Sequence, residues 1–334
     1  MRLLLAALAV VCHVGLASNA VAAQASGAPP TSRMGSLLIS LPDSELPQIV
    51  NLDSPQTLVA HPDRNAKDSR FYGSNRYYFK IQNVGFKQDT FSVFSSTTGR
   101  LEYVAKGIPR VWEAEPSPTA AGVFSLVFLD TGSDNGLFAI LDLSNEQRVL
   151  ASYKGEVGKF LHWWMPDGSL RRLHAHSGEM SVWRGNLNGV NERIEWQSLG
   201  TIPPPVQGAI FGMASPSPNG AELVLSTVQA RTRKVDLWMA DLQSSGLQRI
   251  TNDGFVSFVT WSPDGKHFLF QRSNQSSINT SFQGQCSYWI APGSVRNVSG
   301  VVPGIAHSAV RQVFYGSQQS QTSLPCGKVA AWFK

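Results

Sequence analysis

The chain predicts an all-β fold, a six-bladed β-propeller whose terminal strands share the closing blade, with seven blades as the alternative count. Three observations carry that expectation. First, a proline turn recurs as Trp261-Ser262-Pro263-Asp264-Gly265, Ser217-Pro218-Asn219-Gly220, Met165-Pro166-Asp167-Gly168, Pro116-Ser117-Pro118 and, more worn, His61-Pro62-Asp63. The prolines stand at 62, 118, 166, 218 and 263, hence 56, 48, 52 and 45 residues apart. A period of roughly 40–50 residues with four short strands per unit is the sequence mark of propeller blades. Second, each unit carries an alternating, aromatic-rich third strand: Thr90–Val93, Leu137–Asp142, Ser181–Asn186, Leu237–Asp241 and Tyr288–Ala291. Period-2 alternation with large aromatics fits strands packed between neighbouring sheets. Third, the amino-terminal end supplies half a blade and the carboxy-terminal end an incomplete one, so a shared sheet would close the ring and remove exposed edges.

In chain order, residues 1–23 read as a secretory signal. Arg2 is followed by an apolar run from Leu3 to Leu16 and a small-residue site at Val21-Ala22-Ala23. Residues 24–35 form a flexible leader rich in small and polar residues, and 36–334 a single propeller domain. Leu37–Leu41 and Leu46–Val50 are two strands of half a blade, and the last unit begins at Gly304. No later segment approaches the ~20 apolar residues of a membrane span. The expected location is periplasmic or secreted. Setting aside Cys12 in the signal leaves Cys286 and Cys326, an even pair expected to form a disulfide outside the cytoplasm.

Hydrophobic residues make up 42% of the 334 and charged ones 15%, enough apolar material for a large core and too little charge for extensive disorder. The formal charge of +5 is spread thinly. Its densest runs, Arg171-Arg172 and Arg231-Thr232-Arg233-Lys234, are too short for a nucleic-acid stripe.

The segments Trp261–Lys266 and Asp236–Leu242, with Leu247-Gln248-Arg249-Ile250-Thr251 behind the latter, resemble the repeats of the TolB propeller family. The resemblance spans residues 205–272 most clearly and reaches back to Pro116. It implies a six-bladed propeller outside the cytoplasm whose funnel or rim binds another molecule. The α/β domain that precedes the propeller in TolB itself is not expected here, since only a short leader separates the signal from the first strand. The same repeats also occur beside peptidase domains and in some polysaccharide lyases, so the resemblance does not fix the function.

No Gly-x-Ser-x-Gly elbow, His-Glu-x-x-His, Gly-x-Gly-x-x-Gly, phosphate-binding loop or Cys-x-x-Cys is present. His174 and His176 are the one pair with metal-ligand character, since i and i+2 on a strand share a face, and Glu179 is near enough to join. The other reading places both on a solvent face. The metal-binding reading is strengthened by the histidine-bound metal of the propeller lyases that the repeats resemble. Asp142, Asn186 and Asp241, with Asp167, Asn219 and Asp264 in the turns, raise a calcium-loop reading, but turn capping accounts for the same residues without an ion.

By repeat position Arg110, Glu113, Lys159, His162, Gln207, Ser257 and His307 lie near the start of the innermost strands, where they would line the axial funnel. A ring of both charge signs and two histidines suits a protein partner, a peptide end, another polar ligand or a bound cation at the funnel or rim. The expected function is therefore a non-enzymatic binding module without a cofactor. The alternatives are a metal-assisted carbohydrate-active lyase or hydrolase using a divalent ion, and a secreted structural or effector-like protein.

Overall fold

Short apolar runs separated by proline turns fold in the computed structural model, among the described residues, into six blade sheets and one two-stranded hairpin. The structure describes residues 34–41, 44–54, 58–63, 69–72, 76–130, 132–188, 192–243, 246–273, 286–302, 305–316, 322–324 and 328–333, except 86–87. The signal region and most of the leader lie outside these.

The first strands are β1 (Ser36–Ser40), β2 (Gln48–Asn51) and β3 (Leu58–Ala60). Blade 2 follows with β4 (Arg70–Tyr72), β5 (Tyr77–Gly85), β6 (Gln88–Ser95) and β7 (Leu101–Pro109). Blade 3 has β8 (Val111–Pro116), β9 (Val123–Leu129), β10 (Gly136–Asp142) and β11 (Arg148–Gly155). After a 3-10 turn at Val157–Lys159, blade 4 contains β12 (Phe160–Trp164), β13 (Leu170–His174) and β14 (Glu179–Trp183). The short β15 (Glu192–Arg193) then leaves it to pair in parallel with β11, and β16 (Gln197–Thr201) completes blade 4. Blade 5 is β17 (Ala209–Pro216), β18 (Glu222–Gln229), β19 (Val235–Asp241) and β20 (Leu247–Arg249). Blade 6 is β21 (Val256–Trp261), β22 (His267–Ser273), β23 (Cys286–Pro292) and β24 (Arg311–Gln312). A small hairpin, β25 (Phe314–Tyr315) and β26 (Thr322–Ser323), precedes β27 (Lys328–Phe333).

β27 pairs antiparallel with β1, Leu37 opposite Trp332, so it becomes the innermost strand of blade 1. The ends thus close one sheet, as the sequence predicts, and six is the blade count. Two details differ. The amino-terminal end gives three strands to that sheet rather than two, and Val310–Tyr315 complete blade 6 and the hairpin rather than opening a closing unit. Pro62 is also not a repeat of the proline turn. It lies in the link from β3 to β4, between blades, whereas the true proline turns join the first two strands of one blade.

Those turns explain their residues. Ser262 Oγ donates to Asp264 Oδ1 at 2.7 Å and accepts from His267 N at 3.0 Å, while Gly265 takes φ 69°. Ser217, Asn219 and Gly220 repeat the pattern, and Asp167 accepts from Ser169 N and Oγ. These acids and amides cap their own backbone, as turn chemistry requires.

Alternation explains the core. On β9, Phe124, Leu126 and Phe128 pack toward blade 2, while Val123 and Val127 pack toward blade 4. On β22 and β23, Phe268, Phe270 and Trp289 face blade 5, and Leu269, Tyr288 and Ile290 face blade 1. Sheets covered on both faces read as almost continuous apolar runs, and each buried Phe or Leu contributes roughly 1.5–3 kcal/mol. The aromatic third strands are this inter-blade core.

Candidate binding site in the central channel

Each innermost strand starts at the link from the preceding blade and ends at its own first turn, so β4, β8, β12, β17, β21 and β27 run the same way around an axis. A cavity of about 610 Å³ touches all six. Its ionisable lining is confined to one arc: Arg70 on β4, Glu113 and Glu115 on β8, and His162 on β12. The opposite arc, from β17, β21 and β27, is neutral and includes Met213, Ser215, Val259, Thr260 and Ala331.

Indole groups hold the inner strands together. Trp164 Nε1 donates to the Glu115 carbonyl at 3.2 Å, and Trp261 Nε1 to the Ser215 carbonyl at 3.0 Å. Each tryptophan stands two residues before its turn proline, and each accepting carbonyl three residues before the turn proline of the preceding blade.

Alternation brings Glu113 and Glu115 to the same side of β8. Arg70 Nη1 contacts Glu115 Oε1 at 2.7 Å and donates to the Ala114 carbonyl at 3.0 Å. That ion pair raises the guanidinium above its ordinary pKa, with burial opposing. Glu113 makes no hydrogen bond or ion pair among the described residues. Burial pushes its carboxyl up to about 7, Glu115 adds to the effect and Arg70 opposes it.

His162 lines the channel but is a core residue, 4% exposed. Its Nε2 lies 3.0 Å from Tyr153 Oη, and its ring stacks on Phe138 at 4.4 Å. Burial, followed by the charge of Arg172, pushes it down to about 3, so it is neutral at ordinary pH. Arg172 itself sits between Phe160 and Trp196, at 4.2 and 4.3 Å from the ring centroids, and donates from Nε to Ser181 Oγ. This cation–π sandwich ties blade 4 to its own excursion around β15.

The other funnel candidates are scattered. Arg110 and Gln207 are exposed just before β8 and β17. Lys159 precedes β12 and pairs with Glu156 at 2.6 Å. Ser257 lies on β21, its side chain outside the described residues. His307 lies between β23 and β24, with Nε2 3.0 Å from the Ser299 carbonyl and Nδ1 accepting from Ala309 N. It does not border the channel cavity. His174 is the last residue of β13 and His176 follows in the turn; their rings are 6.0 Å apart. His174 Nδ1 accepts from His176 N and Ser177 N, so one of its nitrogens shapes the turn. Among the described residues no three His, Cys, Asp or Glu side chains gather as a metal set.

Three innermost strands carry a β-bulge at one repeat position. The register slips at Trp112 in β8, Gly212 in β17 and Ser257 in β21, each six residues before the turn proline. All three stand toward the end of the channel opposite the proline turns. Trp112 is 73% exposed. A bulge interrupts alternation and re-aims its side chain, so Trp112 stands outside the period-2 pattern of β8. Arg70 escapes the sequence pattern because Pro62 mimics the first turn of blade 2, and Glu115 because the pattern marks only positions nearer the strand starts.

Comparison with solved structures matches this architecture. TolB from Acinetobacter baumannii superimposes with a TM-score of 0.54 at 12% identity, covering 77% of this chain and 60% of that one. The fold is that of a TolB-like propeller. The chain spans about 60% of the TolB length. Hydrazine synthase from Kuenenia stuttgartiensis gives 0.46 at 14% identity over 67% and 61% of the two chains. The β-propeller domain of the trilobed protease from Pyrococcus furiosus gives 0.47 at 12% over 81% and 79%. No family model and no curated protein matches the sequence. No helix among the described residues is long and apolar enough to cross a membrane.

Proposed function

We propose that this chain is a non-enzymatic binding module that captures a polar segment of a partner protein at one end of its central channel. The observation that carries the reading is the one-sided channel: a cavity of about 610 Å³ with its charged groups on two adjacent blades and neutral walls elsewhere. Such a site offers orientation and specificity through a few polar groups over an otherwise neutral surface. The test is capture of partners by the immobilised propeller from the envelope or medium of its own host. Glu113→Lys should reduce capture of a specific partner by about tenfold, as truncation or reversal at a desolvated interface charge does. His307→Ala and the double change His174→Ala with His176→Ala should leave it intact. A chelator-sensitive activity abolished by His174→Ala would overturn the reading in favour of the metal-assisted enzyme.

The same proposal includes export, with cleavage behind Ala23, a propeller domain over 36–334, and a Cys286–Cys326 disulfide. Cys286 opens β23, its sulfur 3.0 Å from Gln271 Nε2, and Cys326 lies outside the described residues. A crosslink closing about 40 residues would add roughly 4 kcal/mol by loop-closure entropy. Mass spectrometry of protein recovered outside the cytoplasm should give an amino terminus near Gln24 and one linked peptide on non-reducing mapping. Retained Met1, or alkylation of both thiols, would refute the respective part.

A further inference from the structure

Glu113 and Trp112 are neighbours on the bulged start of β8, and each is left over from the packing around it. Glu115, two residues on, has its arginine. Glu113 faces the same cavity with no ion pair or hydrogen bond among the described residues. Among the described residues Trp112 is the most exposed large apolar side chain at 73%, on a strand that otherwise lines a channel, and no described ring or cation contacts its indole. The two other bulged strands present Gly212 and Ser257 at this position, so the indole is a feature of blade 3 alone. Trp112 does not itself border the channel cavity that Glu113 lines, but the bulge sets its exposed indole on the residue next to that carboxyl, and such a pair attracts one kind of group through both of its parts. A cation is drawn to the ring quadrupole and to the carboxylate, and an ammonium can also donate hydrogen bonds to the carboxylate oxygens.

We propose that Trp112 and Glu113 form an ammonium-recognition subsite at the mouth of the channel, taking a lysine side chain or a free amino terminus of a peptide segment. This rests on the binding-module reading and names the chemistry of its ligand. The indole receives the cation at the rim, and the Glu113 carboxylate neutralises it inside. Among the described residues four ionisable groups line the channel cavity: Glu113 and Glu115 from β8, Arg70 from β4 and the neutral His162 from β12. The remaining lining, from β17, β21 and β27, is uncharged. Arg70 is held by Glu115, so the incoming cation meets one free carboxyl. Because that carboxyl titrates near neutrality, binding strengthens as pH rises and Glu113 gives up its proton.

The experiment uses small probes on the folded propeller, read by changes in indole fluorescence and by calorimetry. N-acetyl-lysinamide tests the side-chain source and alaninamide the amino-terminal source. N-acetyl-norleucinamide is the uncharged control. Saturable binding of at least one ammonium probe at pH 8 is expected, weaker by about tenfold at pH 5.5, in Trp112→Ala and in Glu113→Gln. The probe that binds identifies the source. Equal binding of the norleucine control, no saturable binding of either ammonium probe at pH 8, or binding unchanged by Glu113→Gln would overturn the proposal. Running the partner-capture assay on the same variants separates the two readings. Capture lost in Trp112→Ala while neither ammonium probe binds refutes the ammonium assignment and leaves the binding module standing. Capture and probe binding both untouched refute the two together.

Discussion

Replacing Asp236 by alanine should cost about 3–5 kcal/mol of stability, the usual consequence of breaking a buried charged network from one side. The Asp236 carboxylate is 5% exposed and accepts from three directions. Arg249 Nη2 lies at 2.8 Å, Thr251 Oγ1 at 3.2 Å and Gly254 N at 3.0 Å. Thr251 Oγ1 also accepts from Leu237 N at 2.9 Å, and Arg249 Nε donates to the Thr251 carbonyl at 2.9 Å. The cluster locks the start of β19 to the end of β20 and to the link into blade 6. Without the carboxylate, a buried hydroxyl and a buried amide lose their partner, and the Arg249 guanidinium loses its counter-charge. Asp236→Asn keeps an acceptor oxygen for Thr251 and Gly254 and should lose roughly 1–3 kcal/mol. Urea-unfolding midpoints of the two variants beside the parent check the ordering. A loss below about 1 kcal/mol for the alanine variant would show that the network is not the anchor of this blade.

The same cluster shows what the sequence made legible. The run from Asp236 to Leu242 followed by Arg249-Ile250-Thr251 stands out as a repeat because its members bond one another across a blade. Proline turns at 166, 218 and 263 are readable for a similar reason: proline, a capping Asp or Asn and a left-handed glycine are local requirements that survive in any context, while the turn at 118 keeps only the proline and its serine, with Thr119 in the capping place. Alternation in β10, β19 and β23 is readable because both faces of each sheet are buried. Legibility ended where tertiary placement overrode local pattern. Pro62 has turn chemistry yet serves a link between blades, and Arg70 was lost with it. His162 lies at the expected place in its strand but turns into an aromatic core with Phe138 and Tyr153. His307 belongs to a long excursion of blade 6. Trp112 is set outward by a bulge, which depends on how β8 registers against β9 and leaves no local mark. The candidate site was thus half visible, as Glu113 in a funnel position without the Arg70–Glu115 pair that leaves it the surplus charge.

Glu113 should also make the stability of the propeller fall as pH rises from about 4.5 through about 7. Its carboxyl is pushed up to about 7 in the folded chain from the usual 4.5, burial being the main cause. In that window the folded state keeps a proton that the unfolded chain has already released, so folding binds protons and each step up in pH opposes it. Below 4.5 both states are protonated at this position, and above 7 both are ionised, so the effect is flat at either side. The full displacement corresponds to about 3 kcal/mol, and partial access of channel water reduces the expected loss to about 1–2 kcal/mol. Glu113→Gln removes the titrating group while keeping its shape. It should match the parent near pH 4 and exceed it in stability above pH 7 by that amount. The decisive measurement is the difference between the two unfolding free energies at pH values from 4 to 8. Subtraction cancels the titration of every group that behaves alike in both proteins. A difference constant across the range would mean that Glu113 ionises freely in the channel. A rise spread between about pH 4.5 and about 7 would place the surplus charge of the channel on this residue.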